Sequence, residues 1–307
     1  MPHTYLNQRD RSWTSSTASG EALTFHQGLP GYEVTKLVEL PELAAELGVA
    51  RVVAKDESTR LGLPAFKALG ASWAIHRALV EHNGSGPVEF VTATDGNHGR
   101  AVAKYAKVFG HAAMIFIPDG VSASAVQAIR EEGAHVEIVG GQYDDVVAHA
   151  AAYATRTGAL LLQDTAWDGY EVIPGWIVQG YATLFAEADA QLGTRPDVVF
   201  VPAGVGSLLQ AALEHYRAER SSTSVVSVEP DVASCMAPSL IAGTPVTVET
   251  GVTIMAGLNC GTPSTLAWPA IQRGLDAAIS VSDEADLQAA WEADELGGHA
   301  ESHPSHA

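Results

Sequence analysis

Cysteine is scarce in this chain. Cys235 and Cys260 are the only two in 307 residues, too few for a disulfide framework. Long apolar runs are absent as well, and no stretch approaches the length that crosses a bilayer. Residues 1–20 are polar and lack the apolar centre of a signal peptide. These absences predict a cytoplasmic protein with reduced thiols. Basic residues are few, 17 Lys and Arg against 36 Asp and Glu, which gives a formal charge of −19. A nucleic-acid partner is therefore not expected, because phosphate binding needs a net basic surface. The acidity reads instead as a soluble, self-repelling exterior.

What is present fits a well-packed globular protein, with 47% hydrophobic and 17% charged residues. The length suffices for two domains sharing a cleft. Residues 1–20 read as loosely ordered. Pro30-Gly31 makes a turn, Pro41 to Leu47 a helix closed by Gly48, and Arg51 to Lys55 a β-rich run. Residues 56–64 form a loop before a helix from Ala65 to His82, and Gly84-Ser85-Gly86-Pro87 is a candidate hinge. From Val88 to Leu162 strands and helices alternate, and a second such stretch runs from Pro174 to Val228. Such alternation means parallel sheets covered on both faces. A last helix is expected over Asp283–Leu296. The fold class predicted is α/β, two parallel-sheet three-layer domains with the active site in the cleft between them.

Lys67, in Ala65-Phe66-Lys67-Ala68-Leu69-Gly70, sits at the start of an apolar helix. Partial desolvation there disfavours the ammonium and leaves a nucleophilic amine able to form a Schiff base. The plainer reading is a lysine with its head in water. Three further segments weigh against that. Ala203-Gly204-Val205-Gly206-Ser207 follows an apolar strand and opens a helix, so its backbone amides form a phosphate cradle. A dinucleotide loop competes, with Glu229 placed to meet a ribose, but Leu209 stands where the third glycine is due. Thr94-Asp95-Gly96-Asn97-His98-Gly99 lies between a strand and a helix, where parallel sheets bind ligands. Gln163-Asp164-Thr165-Ala166-Trp167 follows a strand end, so Asp95 and Asp164 form a plausible acid/base pair. Taken alone, both loops also read as helix caps.

Together with Pro30-Gly31-Tyr32, Lys55-Asp56-Glu57-Ser58, Gln179-Gly180-Tyr181, Val228-Glu229-Pro230-Asp231 and Met255-Ala256-Gly257-Leu258, these segments resemble the diaminopropionate ammonia-lyases. That family belongs to the fold-type II pyridoxal-phosphate (PLP) enzymes, which are similar to tryptophan synthase β. The resemblance runs from Leu29 to Trp291 in order and spacing. The segment at Lys67 is shared loosely with threonine dehydratases. Gln163–Trp167 and Met255–Leu258 point to the ammonia-lyase branch.

The resemblance implies β-elimination of either enantiomer of 2,3-diaminopropionate to pyruvate and ammonia. It implies Lys67 as the cofactor-bearing residue, with Lys67, Asp95 and Asp164 catalytic. Asn97, Gly204, Val205, Gly206 and Ser207 are implied to hold PLP, and Thr94, Asp95 and His98 to meet the substrate. A homodimer is implied too. So is a large cofactor-binding domain of residues 1–84 and 161–307 enclosing a small α/β domain of residues 85–160.

The family continues past the last helix with a Ser-Gly-rich strand and turn beside the pyridine nitrogen, and nothing in residues 297–307 matches it. The expectation is a shortened large domain with a bare sheet edge and weak cofactor binding. The tail, with His299, His303 and His306, reads as solvated rather than metal-binding. Three alternatives remain open. They are a serine or threonine dehydratase, a non-catalytic remnant, and a nicotinamide-dependent oxidoreductase.

Overall fold

The structure is a computed structural model that describes residues 4–15, 20–82, 84, 86–94, 96–141, 143–218 and 221–289. Asp95, Ser85 of the candidate hinge and the histidines of the tail lie outside the described residues. In chain order the elements begin with β1 (Thr4–Leu6), α1 (Glu21–Gln27), β2 (Leu37–Glu39), α2 (Pro41–Leu47), β3 (Val53–Lys55) and α3 (Lys67–Glu81). Next come β4 (Glu89–Ala93), α4 (Asn97–Val108), β5 (Ala112–Pro118), α5 (Ala123–Glu131), β6 (His135–Val139), α6 (Tyr143–Thr157) and β7 (Leu160–Leu161). The chain then forms α7 (Val172–Leu192), β8 (Val198–Pro202), α8 (Ser207–Arg217), β9 (Ser224–Pro230), α9 (Met236–Ala242), α10 (Trp268–Gly274) and β10 (Ala277–Val281). Residues 283–289 are helical.

Two four-stranded sheets result. One has the order β6-β5-β4-β7 and is parallel throughout. The other has the order β1-β10-β9-β8, with β8, β9 and β10 parallel and β1 antiparallel to β10. β2 and β3 form a separate antiparallel ribbon. The expected α/β architecture with two parallel-sheet regions is what the chain adopts.

The start of the chain differs from expectation. Residues 4–15 are not loose: β1 runs along β10, and the Asn7 side-chain amide donates to the carbonyl oxygen of Leu275 at 2.9 Å. β10 is therefore an interior strand, whereas β8 ends the sheet on the other side among the described residues, with Phe200 exposed. A three-residue strand in a polar segment carries no alternation to read. Its order comes from a partner more than 260 residues away.

The core that positions the site is the contact of α3 with α7. Gly70 of α3 faces Gly180 and Tyr181 of α7. A Cβ at Gly180 would lie 2.5 Å from the Leu69 carbonyl oxygen, and one at Gly70 would lie 2.5 Å from Cε1 of Tyr181. Only glycine permits this approach of the two helices. α1 closes the same junction. His26 is fully buried, donates from Nε2 to the Leu69 carbonyl at 3.0 Å and accepts at Nδ1 from the Thr183 hydroxyl at 2.8 Å. Burial, only partly opposed by the Leu69 contact, pushes His26 down to about 4, so it is neutral at physiological pH.

The loop before α3 is held from below by a buried ion network. Arg60 is inaccessible to solvent and donates to Glu57 and Glu187, while Lys55 and the Tyr32 hydroxyl also reach Glu187. The Lys55-Asp56-Glu57-Ser58 motif therefore contributes to a structural girder. Leu61, at φ 54, is the one described non-glycine residue with positive φ. Lys104 of α4 donates to its carbonyl at 2.6 Å, fixing this uncommon backbone six residues ahead of Lys67.

Candidate active site

α3 begins at Lys67, and its side chain reaches towards the loop after β7. Nζ donates to Oδ2 of Asp164 at 2.8 Å. Both side chains are largely withdrawn from solvent, 22% and 12% exposed. Asp164 itself is set by its neighbours. The fully buried Gln163 accepts at Oε1 from the Thr92 hydroxyl (2.8 Å) and the Ala93 amide (3.0 Å), and its Nε2 donates to the Tyr143 hydroxyl at 2.8 Å. Tyr170 accepts from the Gln163 amide at 2.9 Å and stacks on Trp167, with ring centroids 4.4 Å apart. The segment beyond β7 is thus clamped to the end of β4. Asp164 pairs with the lysine, so the capping role that its loop suggested is not the one it has.

The electrostatics reverse one expectation. Burial by itself pulls the Lys67 ammonium down. The Asp164 carboxylate, the Tyr181 side chain and the hydrogen bond to Asp164 more than compensate, and Lys67 ends well above its ordinary 10.5. Desolvation does not leave a free amine here, because a carboxylate from 97 residues away has followed the lysine into the site. Asp164 is also opposed by burial, but His98 and Lys67 hold it well below the usual carboxylate range. The resting state of the pair is ammonium and carboxylate.

His98, in the first turn of α4, is buried. Its Nε2 donates to the Leu162 carbonyl at 2.8 Å, and its Nδ1 stands 3.8 Å from Oδ2 of Asp164. Thr94 is buried, and its hydroxyl oxygen accepts from the amides of Gly96 (3.0 Å) and Gly99 (3.1 Å). It caps the entry to α4, and its proton remains able to donate. Asn97 is exposed at the start of that helix.

The glycine loop approaches from the other side. The Ser207 hydroxyl donates to the carbonyl oxygen of Asp164 at 3.1 Å, so the head of α8 is one residue's width from the lysine's partner. Gly206 caps α8 with φ +97, and a Cβ there would lie 2.8 Å from Cδ1 of Ile271. A Cβ at Gly204 would lie 3.0 Å from Sγ of Cys260 and 3.2 Å from the Gly257 carbonyl oxygen. The Val205 carbonyl accepts from the Ser264 amide at 2.8 Å. A turn that admits only glycine at 204 and 206 is thus pressed between these walls, with the unpaired amides and positive pole of α8 behind it. That donor set suits a phosphate, and the lysine beside it suits an aldehyde, so the residues present fit PLP.

Glu229 does not fit the dinucleotide reading. Its carboxylate is buried and accepts from the amides of Cys235 (2.8 Å) and Met236 (3.1 Å). It anchors the start of α9 and meets no ribose.

Sequence reasoning missed Tyr181 and Cys260. Tyr181 is fully buried, and its hydroxyl has no hydrogen-bond partner among the described residues. Burial, opposed by the Lys67 charge and aided by that of Asp164, leaves the phenol raised to about 12. Gln179-Gly180-Tyr181 was visible as a motif, but only the helix contact aims the phenol at the lysine.

The chain matches the family model for pyridoxal-phosphate dependent enzymes over residues 29–300. It is 40% identical to the diaminopropionate ammonia-lyase of Salmonella typhimurium over 291 residues, which is 86% of this chain and 72% of that one. Among solved structures it is similar to the Escherichia coli diaminopropionate ammonia-lyase in complex with an aminoacrylate-PLP azomethine reaction intermediate. The TM-score is 0.85 and the identity 37%, over 92% of this chain and 77% of that one. The same enzyme in complex with D-serine gives 0.84 and 36% over the same shares. The chain belongs to the diaminopropionate ammonia-lyase family of PLP-dependent enzymes.

Proposed function

We propose that this protein uses PLP to eliminate ammonia from 2,3-diaminopropionate, giving pyruvate and ammonia. The observation that carries the reading is the Lys67–Asp164 pair at 2.8 Å, tied by Ser207 to the turn of Gly204 and Gly206. When bound, PLP supplies the electron sink that acidifies Cα and lets the β-amine depart. The chain's residues do the rest. Lys67 would carry the cofactor, Gly204, Val205, Gly206 and Ser207 would hold its phosphate, and Asn97 would hold its ring oxygen. The nitrogen of Lys67 must first release its proton to act as a nucleophile. Asp164 is the acceptor in reach, and the short contact makes that transfer a shift along an existing hydrogen bond. Lys67 on one face, with Asp95 or Asp164 as the carboxylate for the other, fits a substrate taken in both configurations. Thr94 and His98 would border the substrate, and His98 Nδ1 stands 3.8 Å from the same Asp164 oxygen that Lys67 meets.

The two sheets support a division into a large domain of residues 1–84 and 161–307 and a small one of residues 85–160, with the site between them. We also infer a cytoplasmic homodimer, as the family resemblance implies. No helix among the described residues is long and apolar enough to cross a membrane. Light scattering on the purified protein tests the oligomer.

The deciding experiment is borohydride reduction of the PLP-loaded protein followed by peptide mapping, alongside pyruvate release from D- and L-2,3-diaminopropionate and from serine. The label belongs on Lys67, and diaminopropionate should be turned over faster than serine. A label elsewhere defeats the site. Faster turnover of serine defeats the substrate and leaves a dehydratase.

A further inference from the structure

In a protein of formal charge −19, basic side chains gather at one place outside the active site. A cavity of about 230 Å³ is lined by Arg9, Arg11 and Arg217, with Thr14 and Ser221 adding hydroxyls and Trp13 forming a wall. Arg273 stacks over the Trp13 ring, its Cζ 5.3 Å from the centroid. The walls are ordered by backbone bonds. The Asp10 amide donates to the Arg273 carbonyl at 2.9 Å, and the Ser15 amide donates to the Arg217 carbonyl at 3.1 Å.

The charges there do not balance. Among the described residues, the ion pairs of these arginines run to one carboxylate. Oδ2 of Asp276 accepts from Nη2 of Arg217 at 2.5 Å, and Oδ1 stands 2.6 Å from Nε of Arg9 as an ion pair. Oδ2 also accepts from the Val225 amide at 2.8 Å, which leaves the carboxylate little further capacity. Asp10 turns its carboxylate to the Ser12 amide and hydroxyl. With Arg273 and Asp10 counted, four guanidiniums and two carboxylates surround the cavity among the described residues, an excess of two positive charges. Burial lowers the Arg217 guanidinium, Asp276 opposes this, and Arg9 and Arg11 lower it further. The like charges are felt by the group at the centre of the cluster.

Arg217 has a structural duty that accounts for its own position. It is buried and donates to the carbonyls of Gly274 and Thr223 as well as to Asp276. That duty does not account for Arg11, which is exposed and adds charge to a pocket whose carboxylates are already used.

We propose that this cavity binds a small anion bearing a phosphate group. A tetrahedral dianion takes N–H donors from several guanidiniums at once, and hydroxyls complete its shell. The volume admits a phosphate or diphosphate with a few further atoms. The bound anion would neutralise the excess charge and so lock residues 4–15 onto α8 and β10. The site lies at the far end of α8 from Ser207, about 16 Å along an 11-residue helix. It is therefore separate from the cofactor phosphate loop.

The test uses the full chain loaded with PLP, so that the cofactor loop is already filled. Inorganic phosphate, pyrophosphate and glycerol 3-phosphate are titrated calorimetrically at constant ionic strength, with thermal melting in parallel. Saturable binding with a raised Tm is expected. Arg11→Gln should weaken the binding by about tenfold, the loss of one charge-assisted contact. This residue is exposed and outside the catalytic machinery, so the variant should fold and turn over substrate as the parent does. Tighter binding of the ester than of phosphate identifies the occupant as an organic phosphate, and equal binding identifies free phosphate. The proposal is overturned if no probe saturates, if Arg11→Gln binds as tightly as the parent, or if sodium chloride alone raises Tm as much.

Discussion

Oδ2 of Asp164 stands between two cationic or ionisable nitrogens, 2.8 Å from Nζ of Lys67 and 3.8 Å from Nδ1 of His98. This arrangement keeps the lysine charged in a place where burial alone would discharge it. It also fixes how the pair contributes to stability against pH. The raised pKa of Lys67 gives stability that is complete below 10.5 and lost as pH rises through its higher folded value. The depressed pKa of Asp164 gives stability present above 3.8 and lost as pH falls through its lower folded value. Between those limits the pair adds no slope.

Asp164→Asn should uncouple these effects. The amide keeps the shape but not the charge, so Lys67 falls towards the neutral amine that burial favours. PLP incorporation into the variant is expected to proceed at lower pH than in the parent. Turnover of diaminopropionate should drop by about 100-fold or more, the scale of a lost acid/base group. Incorporation rates and pyruvate release measured from pH 6 to 10 check both. Turnover within tenfold of the parent would remove Asp164 from the proton transfer.

Tyr181→Phe separates function from fold. The phenol oxygen is buried without a hydrogen-bond partner among the described residues, and such a group costs stability. Its removal should leave Tm unchanged or raise it, by up to about 1 kcal/mol in unfolding free energy. Turnover should nevertheless fall by about tenfold or more, because the hydroxyl borders the Lys67 amine. A variant that loses stability and keeps its rate would make Tyr181 a packing residue only.

How much of this could be read from the chain alone differs from element to element. α2 begins and ends where Pro41 and Gly48 suggested, and α8 begins where Ser207 did. Helix length, cap chemistry and apolar spacing agree in those segments, and the parallel strands between them follow from their apolar runs. α1, α9 and α10 went unread. Each is seven residues long, as α2 is, but none pairs a proline as its first residue with a closing glycine after its last, as α2 does with Pro41 and Gly48. Lys67, Asp164 and Ser207 were legible as chemistry because each stands at a strand or helix end. The sign of the Lys67 shift was not, since it depends on a partner far along the chain. Tyr181 and Cys260 acquire meaning only when α7 and the 255–261 segment are packed against the site.

Gly180→Ala tests the helix contact that presents Lys67. The added methyl would sit 2.5 Å from the Leu69 carbonyl oxygen, a backbone atom that cannot rotate away. α3 and α7 must separate, at a cost of about 1–3 kcal/mol. Leu69 is two residues from Lys67, so the lysine moves with it. Chemical denaturation and a PLP titration should show stability and cofactor affinity falling together. A loss of stability with unchanged PLP affinity would mean that α3 repacks without displacing its first residue.

Glu229 offers a pH test independent of PLP. Burial raises this carboxyl from 4.5 to about 7, against the lowering pull of the Met236 and Cys235 amides. A carboxyl raised on folding favours the native state when protonated, so its contribution is fullest below 4.5. It is lost progressively as pH climbs to about 7. The amplitude corresponds to about 3 kcal/mol. Glu229→Gln keeps an acceptor for the two amides and cannot ionise. Urea unfolding of parent and variant at pH 5 and pH 7.5 should therefore show a parent that weakens between the two values and a variant that weakens less. Parallel pH dependence in both would mean that Glu229 remains charged throughout, held by the two amides at the head of α9.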